Sequence, residues 1–477
     1  MRNRNNFLCV LWSVVVFSFF GIMLFLLVNA LSDFLQRKIL TQTQQKKVTT
    51  GEIGLPLPDV MICNRGFFSK AKLQAMNIDA ELSSYLMMLL AGPGISVKNL
   101  FTSTEGEQTL DDLQRSLEKT LEERNMTLPE LIAAVSYTCE EVISRCEVIS
   151  SRSGSTECCQ RMITVPTYLG YCLLWPSYYE ERQVYGDQKV QEFYLKVPTN
   201  DTPEFSPKVL TLSKMVKSGL QVTIAGNLTY QGMLVFSQGT LIPPGTHTNI
   251  RLSLTKINNK DLRTWADVFE EPCVPPESLT GLDSLLKISS NCFDGAVYNC
   301  FSEICECYAF YNFNATGRQC TLRETSRCLD LLFYQIGKMS RTLAFEELKF
   351  SPSQEVLQQI QKCWEREKSR CVTACEELSF SYVAHTVPMM QETVDVLGEE
   401  FDLDNTTQIA VVSTSYPNMD YIEIWSTRQG LNDILGVQGC YIGFFLGASL
   451  FTALESSVYA TLIWWKLCRW VCRGKGN

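Results

Sequence analysis

Histidine is nearly absent from this chain. It occurs twice in 477 residues, as His247 and His385. So small a supply leaves little for a histidine-ligated metal centre or a histidine general base, and no nucleophile motif accompanies either residue. For both, an ordinary surface or core role is expected. Charge is missing from two long stretches. Residues 7–31 hold no Asp, Glu, Lys or Arg, and residues 440–465 hold one, Glu455. Lysine and arginine form no triphosphate-binding cluster, and the net charge of −9 gives no cause to expect a nucleic-acid partner. No enzyme, cofactor or metal is implied.

Cysteine, by contrast, is abundant. Twenty are too many for a reduced cytosolic protein of this make-up and imply an oxidising compartment. Sixteen lie between residues 63 and 375. The densest run is Cys292-x7-Cys300-x4-Cys305-x-Cys307-x12-Cys320-x7-Cys328, preceded by Cys273 and followed by Cys363 and Cys371-x3-Cys375. These are not zinc-ribbon spacings and no histidine adjoins them, so disulfides are expected, with connectivity left open by spacing alone.

The charge-poor stretches read as membrane spans, since about 20 apolar residues cross a bilayer. Residues 7–31, FLCVLWSVVVFSFFGIMLFLLVNAL, exceed the apolar core of a cleavable signal. Residues 1–6 then form a cytosolic start, 32–437 an extracellular domain, 438–465 a second span and 466–477 a cytosolic tail. Both short ends are basic and acid-poor, which places them inside. Removing the six bases of these ends and Glu455 of the second span from totals of 42 and 51 leaves a net of −14 for residues 32–437. Five Asn-x-Thr sequons, at Asn125, Asn200, Asn227, Asn314 and Asn405, fall within that domain as glycosylation candidates. Cys468 and Cys472 are palmitoylation candidates.

The second span departs from a plain anchor. Gly436, Gly439, Gly443 and Gly447 thin one helical face, and Glu455 sets a carboxylate on a face shared with Ala448, Thr452 and Tyr459. A charge at that depth costs roughly 2.5–3.5 kcal/mol and faces a bundle interior or water. Packing alone explains the glycines. Glycines together with the acid point to a pore-lining helix.

Elsewhere, residues 80–91 read as an apolar helix ended by Pro93-Gly94. Residues 109–124 read as an amphipathic helix with Leu110, Leu113, Leu117 and Leu121 as its stripe and Thr109 as cap. Residues 190–270 alternate as antiparallel strands, and TQIAVVSTSYPNMDYIEIW reads as a strand leading to the second span. Ser353 starts a helix through Val356, Leu357, Ile360 and Trp364.

GFFLGASLFTALE, at 443–455, resembles the second membrane segment of the degenerin/epithelial sodium channel family, which includes the acid-sensing channels. That family carries Gly-x-Ser followed six residues later by Glu. LPLPDVMICN, at 55–64, resembles the family's FPAVTICN strand, and GYCLLW around Cys172 resembles its GxCYTFN. The resemblance implies an α+β membrane protein, with two transmembrane helices flanking a disulfide-rich ectodomain that has a β-strand palm and helical finger and thumb. It implies Gly447, Ala448 and Ser449 as selectivity filter, Glu455 as pore cation site and Gly436 as the small gating residue. It implies the pairs Cys63–Cys172, Cys139–Cys146, Cys273–Cys375, Cys292–Cys371, Cys300–Cys363, Cys305–Cys328 and Cys307–Cys320, with Cys158 and Cys159 left over.

The implied function is a subunit of a trimeric cation channel in the plasma membrane, sodium-selective and amiloride-sensitive, gated through the extracellular domain. Its partners would be sodium ions, membrane lipids and related subunits in a homo- or heterotrimer, with the extracellular ligand unnamed. The family's cytosolic His-Gly motif has no counterpart in the six residues before the first span, and neither histidine stands just beyond it, so acid gating is not expected. The alternative is a two-span glycosylated surface receptor without channel activity.

Overall fold

We describe a computed structural model covering residues 14, 17–18, 21–32, 39–48, 54–91, 104–149, 151–177, 181–184, 190–206, 219–226, 228–229, 239–260, 273–279, 282–288, 291–308, 317–325, 328, 332, 354–404, 406–428, 436, 438–441, 443, 455, 458–459 and 461–466. The chain falls into two compact units. One comprises residues 1–42, 259–272 and 425–477, the other residues 43–258 and 273–424.

In chain order the strands are β1 (Ile39–Lys47), β2 (Leu55–Pro56), β3 (Asp59–Asn64), β4 (Ile143–Val148), β5 (Ser151–Gly154), β6 (Ile163–Thr167), β7 (Gly170–Trp175), β8 (Arg182–Gln183), β9 (Gln191–Pro198), β10 (Leu220–Ala225), β11 (Thr240–Ile242), β12 (Thr246–Asn258), β13 (Glu376–Pro388), β14 (Thr407–Ser415) and β15 (Asp420–Arg428). The helices are α1 (Lys70–Ala75), α2 (Ala80–Ala91), α3 (Thr104–Arg124), α4 (Leu128–Val135), α5 (Cys139–Val142), α6 (Ser155–Arg161), α7 (Leu282–Leu285), α8 (Cys292–Cys305), α9 (Gln354–Ser369) and α10 (Gln391–Glu400).

The larger unit is layered. A five-stranded sheet, ordered β11-β10-β3-β7-β6, sits between helices and a second sheet. Strands covered on both faces must be apolar nearly throughout, and Leu55–Ile62 is buried at every position. Met61, Cys63, Cys172 and Leu174 face the helices α1–α4. Val60, Ile62, Leu173, Trp175, Val222 and Ile224 face the eight-stranded sheet. That sheet runs β1-β15-β12-β14-β9-β4-β5, with β13 beside β12. Its strands obey the two-residue period. Phe193, Leu195, Val197, Ile250, Leu252, Leu254, Ala410 and Val412 turn inward. Glu192, Tyr194, His247, Asn249 and Ser413 hold the alternate positions.

Several sequence expectations are adjusted. The helix expected to start at residue 109 starts at Thr104, so Thr109 lies inside it and caps nothing. Its stripe behaves as read, with Leu110, Leu113 and Leu117 buried. The strand expected from residue 407 onward is two strands, β14 and β15. Tyr416 breaks the run: its backbone N–H donates to Gln183 Oε1 at 2.7 Å and its hydroxyl to the Pro56 carbonyl at 2.5 Å. Strand β12 is antiparallel to β13 along its length, but parallel to β14 from His247 to Arg251.

The cysteine pairing in the 139–159 region is also corrected. Cys139 is bonded to Cys159 and Cys146 to Cys158, not Cys139 to Cys146. Cys139 opens α5 and Cys146 sits in β4 with its side chain buried. Helix α6 lies against both, and successive residues on a helix diverge by about 100°. Cys158 therefore points at β4 and Cys159 at α5. The remaining bonds are Cys63–Cys172, Cys273–Cys375, Cys292–Cys371, Cys300–Cys363, Cys305–Cys328 and Cys307–Cys320. From Cys292 to Cys300 α8 advances eight residues, while the partner falls back eight, from Cys371 to Cys363. That is the register of antiparallel neighbours, and Val297, Phe301 and Ile360 fill the space between α8 and α9.

Candidate functional site

The filter residues read from the sequence, Gly447, Ala448 and Ser449, lie outside the described residues, as do the sequons at Asn227, Asn314 and Asn405. Glu455 is helical and exposed. Gly436 is helical, and a Cβ built on it would meet nothing within 4 Å. On the turns after Glu455, Tyr459, Trp464 and Trp465 are 61%, 71% and 63% exposed. Near the start of the chain, residues 21–32 are helical, with Ile22, Leu24, Phe25, Val28 and Leu31 exposed. Large apolar side chains with no protein cover need either lipid or other chains around them. Among the described residues, no helix is long and apolar enough to cross a membrane. Asn125 and Asn200 are exposed, Asn125 in the left-handed turn that closes α3 (φ 50°).

Two features of the larger unit escaped the sequence reading. The first is Asp59, which starts β3. It is 8% exposed and its Oδ1 accepts from the Ser177 N–H at 2.9 Å and the Ser177 hydroxyl at 3.2 Å. Burial pushes its carboxyl up to about 6, against the pull of the two Ser177 bonds. The signal was present: Asp59 stands as the one charge in the apolar run LPLPDVMIC.

The second is the outer face of the eight-stranded sheet. The Arg145 guanidinium, on β4, lies 4.1 Å from the Tyr194 ring centroid and 5.0 Å from that of Phe401. It pairs with Glu400 at 2.6 Å and Glu147 at 3.2 Å. Arginine suits this place because its flat cation stacks on rings while its edges meet carboxylates. Few other contacts hold α10 down, since Val394 is its only buried side chain. Beside Arg145, Tyr194 donates to Glu192 Oε2 at 3.2 Å. Glu192 Oε1 lies 4.0 Å from His247 Nε2, and that nitrogen lies 3.0 Å from Ser413 Oγ. In the cysteine-rich segment, the buried Glu367 accepts from Asn299 at 2.8 Å, Arg370 at 3.0 Å and Arg366 at 3.1 Å.

Around Arg145 and Glu367 cations are held against carboxylates, and at Arg145 against rings as well. No curated protein matches the chain. A family model described as amiloride-sensitive sodium channel matches residues 1–459. Matched over nearly its whole length, the chain belongs to the amiloride-sensitive sodium channel family, whose members are membrane ion channels and not enzymes.

Proposed function

We propose that the chain is a subunit of a trimeric, sodium-selective, amiloride-sensitive channel of the plasma membrane, opened by movement of its disulfide-braced extracellular domain. The observation that carries this reading is the stretch 443–455, a Gly-Ala-Ser tripeptide six residues ahead of an acid inside an apolar run, in a chain of this family. Residues 7–31 and 438–465 act as the two spans, with both ends cytosolic. The exposed apolar side chains of 21–32 and 458–465 support that placement. Three Gly447-Ala448-Ser449 segments present carbonyl rings, and three Glu455 carboxylates hold cations below them. Rings of this kind replace the hydration shell of a cation and repel anions. Irregular backbone is tolerated at that depth because it lines water. Gly436 acts as the gating residue, and Asn125, Asn200, Asn227, Asn314 and Asn405 are the glycan acceptors.

The test is whole-cell current in oocytes expressing the chain, in Na⁺ and then in a large organic cation, with and without amiloride. A current carried by Na⁺, refused to the organic cation and blocked by amiloride is expected, either from the chain itself or from a bulky substitution at Gly436 that props the pore open. A Gly436 variant present at the surface but electrically silent overturns the reading in favour of a two-span receptor.

A further inference from the structure

The chain's only two histidines lie on one face of one sheet. In the β12–β13 ladder His247 is opposite Val387 and Asn249 is opposite His385, so both imidazoles stand on the outer face, one diagonal step apart. In the parallel β12–β14 ladder Asn249 is opposite Ser413, and in the β14–β9 ladder Ser413 is opposite Glu192. His247 thus faces a carboxylate two strands away, across a serine that is 1% exposed.

In the neutral ring with its proton on Nδ1, Nε2 accepts from the Ser413 hydroxyl at 3.0 Å. Protonation makes Nε2 a donor. Ser413 must then turn its own proton elsewhere, and Glu192 Oε1, 4.0 Å away, becomes the charged partner of the new N–H. We infer that His247 is a proton-operated latch, which in its protonated form binds Glu192 and ties β12 to β9 across β14. Other groups facing this cluster are Tyr194 and Lys196 from β9, Arg145 and Glu147 from β4, Glu400 from α10, His385 from β13 and Arg251 on β12 itself. Arg145 is engaged by Glu147 and Glu400, and Lys196 by the Glu140 carbonyl at 3.1 Å. Asn249 Oδ1, two residues along the same face of β12, is buried with no hydrogen-bond partner among the described residues. A histidine that gains a partner on protonation adds stability below its ordinary value of about 6.5, and that stability is lost as pH rises through the folded value.

The latch is tested by hydrogen exchange on the full chain in lipid nanodiscs at pH 5.5 and 8.0, corrected for intrinsic rates. Exchange reads it whether or not the chain conducts. Peptides covering 246–251 and 407–414 should be roughly tenfold more protected at pH 5.5 than at pH 8.0, the order that one charge-assisted hydrogen bond supplies. His247→Gln and Glu192→Gln should each remove that step, and His385→Gln should keep it. His247→Arg, with its fixed charge, should be protected at both pH values. Asp59 is common to all these proteins, so the difference between variants is what counts. Survival of the step in His247→Gln or in Glu192→Gln overturns the inference, as does its loss in His385→Gln.

Discussion

Changing Asp59 to Asn should make the protein more stable at neutral pH and remove one source of its pH dependence. The folded carboxyl titrates at about 6, against 3.8 for the ordinary group. Between those values the folded chain holds a proton that the unfolded chain has released. Stability therefore falls as pH rises through this window, the reverse of a salt-bridged carboxylate. Two units of difference at 1.36 kcal/mol each amount to about 3 kcal/mol, present at pH 4 and lost by pH 7.5. Asparagine keeps an oxygen for the Ser177 N–H without a charge to bury, so Asp59→Asn should recover up to about 3 kcal/mol at pH 7.5 and gain nothing at pH 4. Other carboxylates titrate too. Arg366 holds Glu303 below its ordinary range and Arg318 does so for Glu324, which gives the opposite sign. Both occur in wild type and variant and cancel in the difference. The assay is hydrogen exchange over residues 59–64 and 171–177 from pH 4 to 8. A wild-type-to-variant difference that stays flat across this range, or a variant less protected at pH 7.5, refutes the argument.

Arg145→Leu should cost roughly 1–2 kcal/mol, because it removes two ring contacts and the cation of the half-exposed Glu400, while Glu147 keeps Arg152; the loss should appear first as faster exchange in α10, and unchanged α10 exchange would count against it. Non-reducing peptide mapping should recover Cys139 linked to Cys159 and Cys146 linked to Cys158, and removing either bond should cost about 3 kcal/mol for loops of this length; a Cys139–Cys146 peptide would show the α6 geometry to be wrong. Glu455→Gln should alter conductance or ion preference at unchanged surface level, and an unaltered single-channel record would remove Glu455 from the pore.

What could be read without coordinates follows from what sequence encodes directly. The α3 stripe and the strands β9, β12 and β14 come from periodicity, which reports whether a face is buried, and the helix 80–91 comes from an apolar run stopped by Pro93-Gly94. The antiparallel bonding of α8 and α9 came only through the family resemblance, because many connectivities fit the same spacings. The partners of Cys158 and Cys159 are hidden in the sequence for a local reason. Adjacent cysteines look redundant along the chain, yet a helix turns them toward different neighbours, and nothing nearby announced that α6 would be wedged between α5 and β4.

The outer face of the large sheet marks the limit more sharply. Alternation says that Arg145, Glu192, Tyr194 and His247 share the side opposite Phe193 and Ile250. It cannot say that β4, β9, β14 and β12 are neighbours in that order, and every distance in the cluster depends on that order. His247 and Glu192 are 55 positions apart in sequence. Three strands of correct register bring them to 4.0 Å. A one-residue slip in any of these ladders would turn one member of the cluster into the apolar core. The hydrophobic side therefore sets the register for the polar side: Phe193, Ile250, Ala410 and Val412 cannot leave the core without carrying Glu192, His247 and Ser413 with them. A scarce histidine acquires a partner here through packing on the opposite face of its own strand.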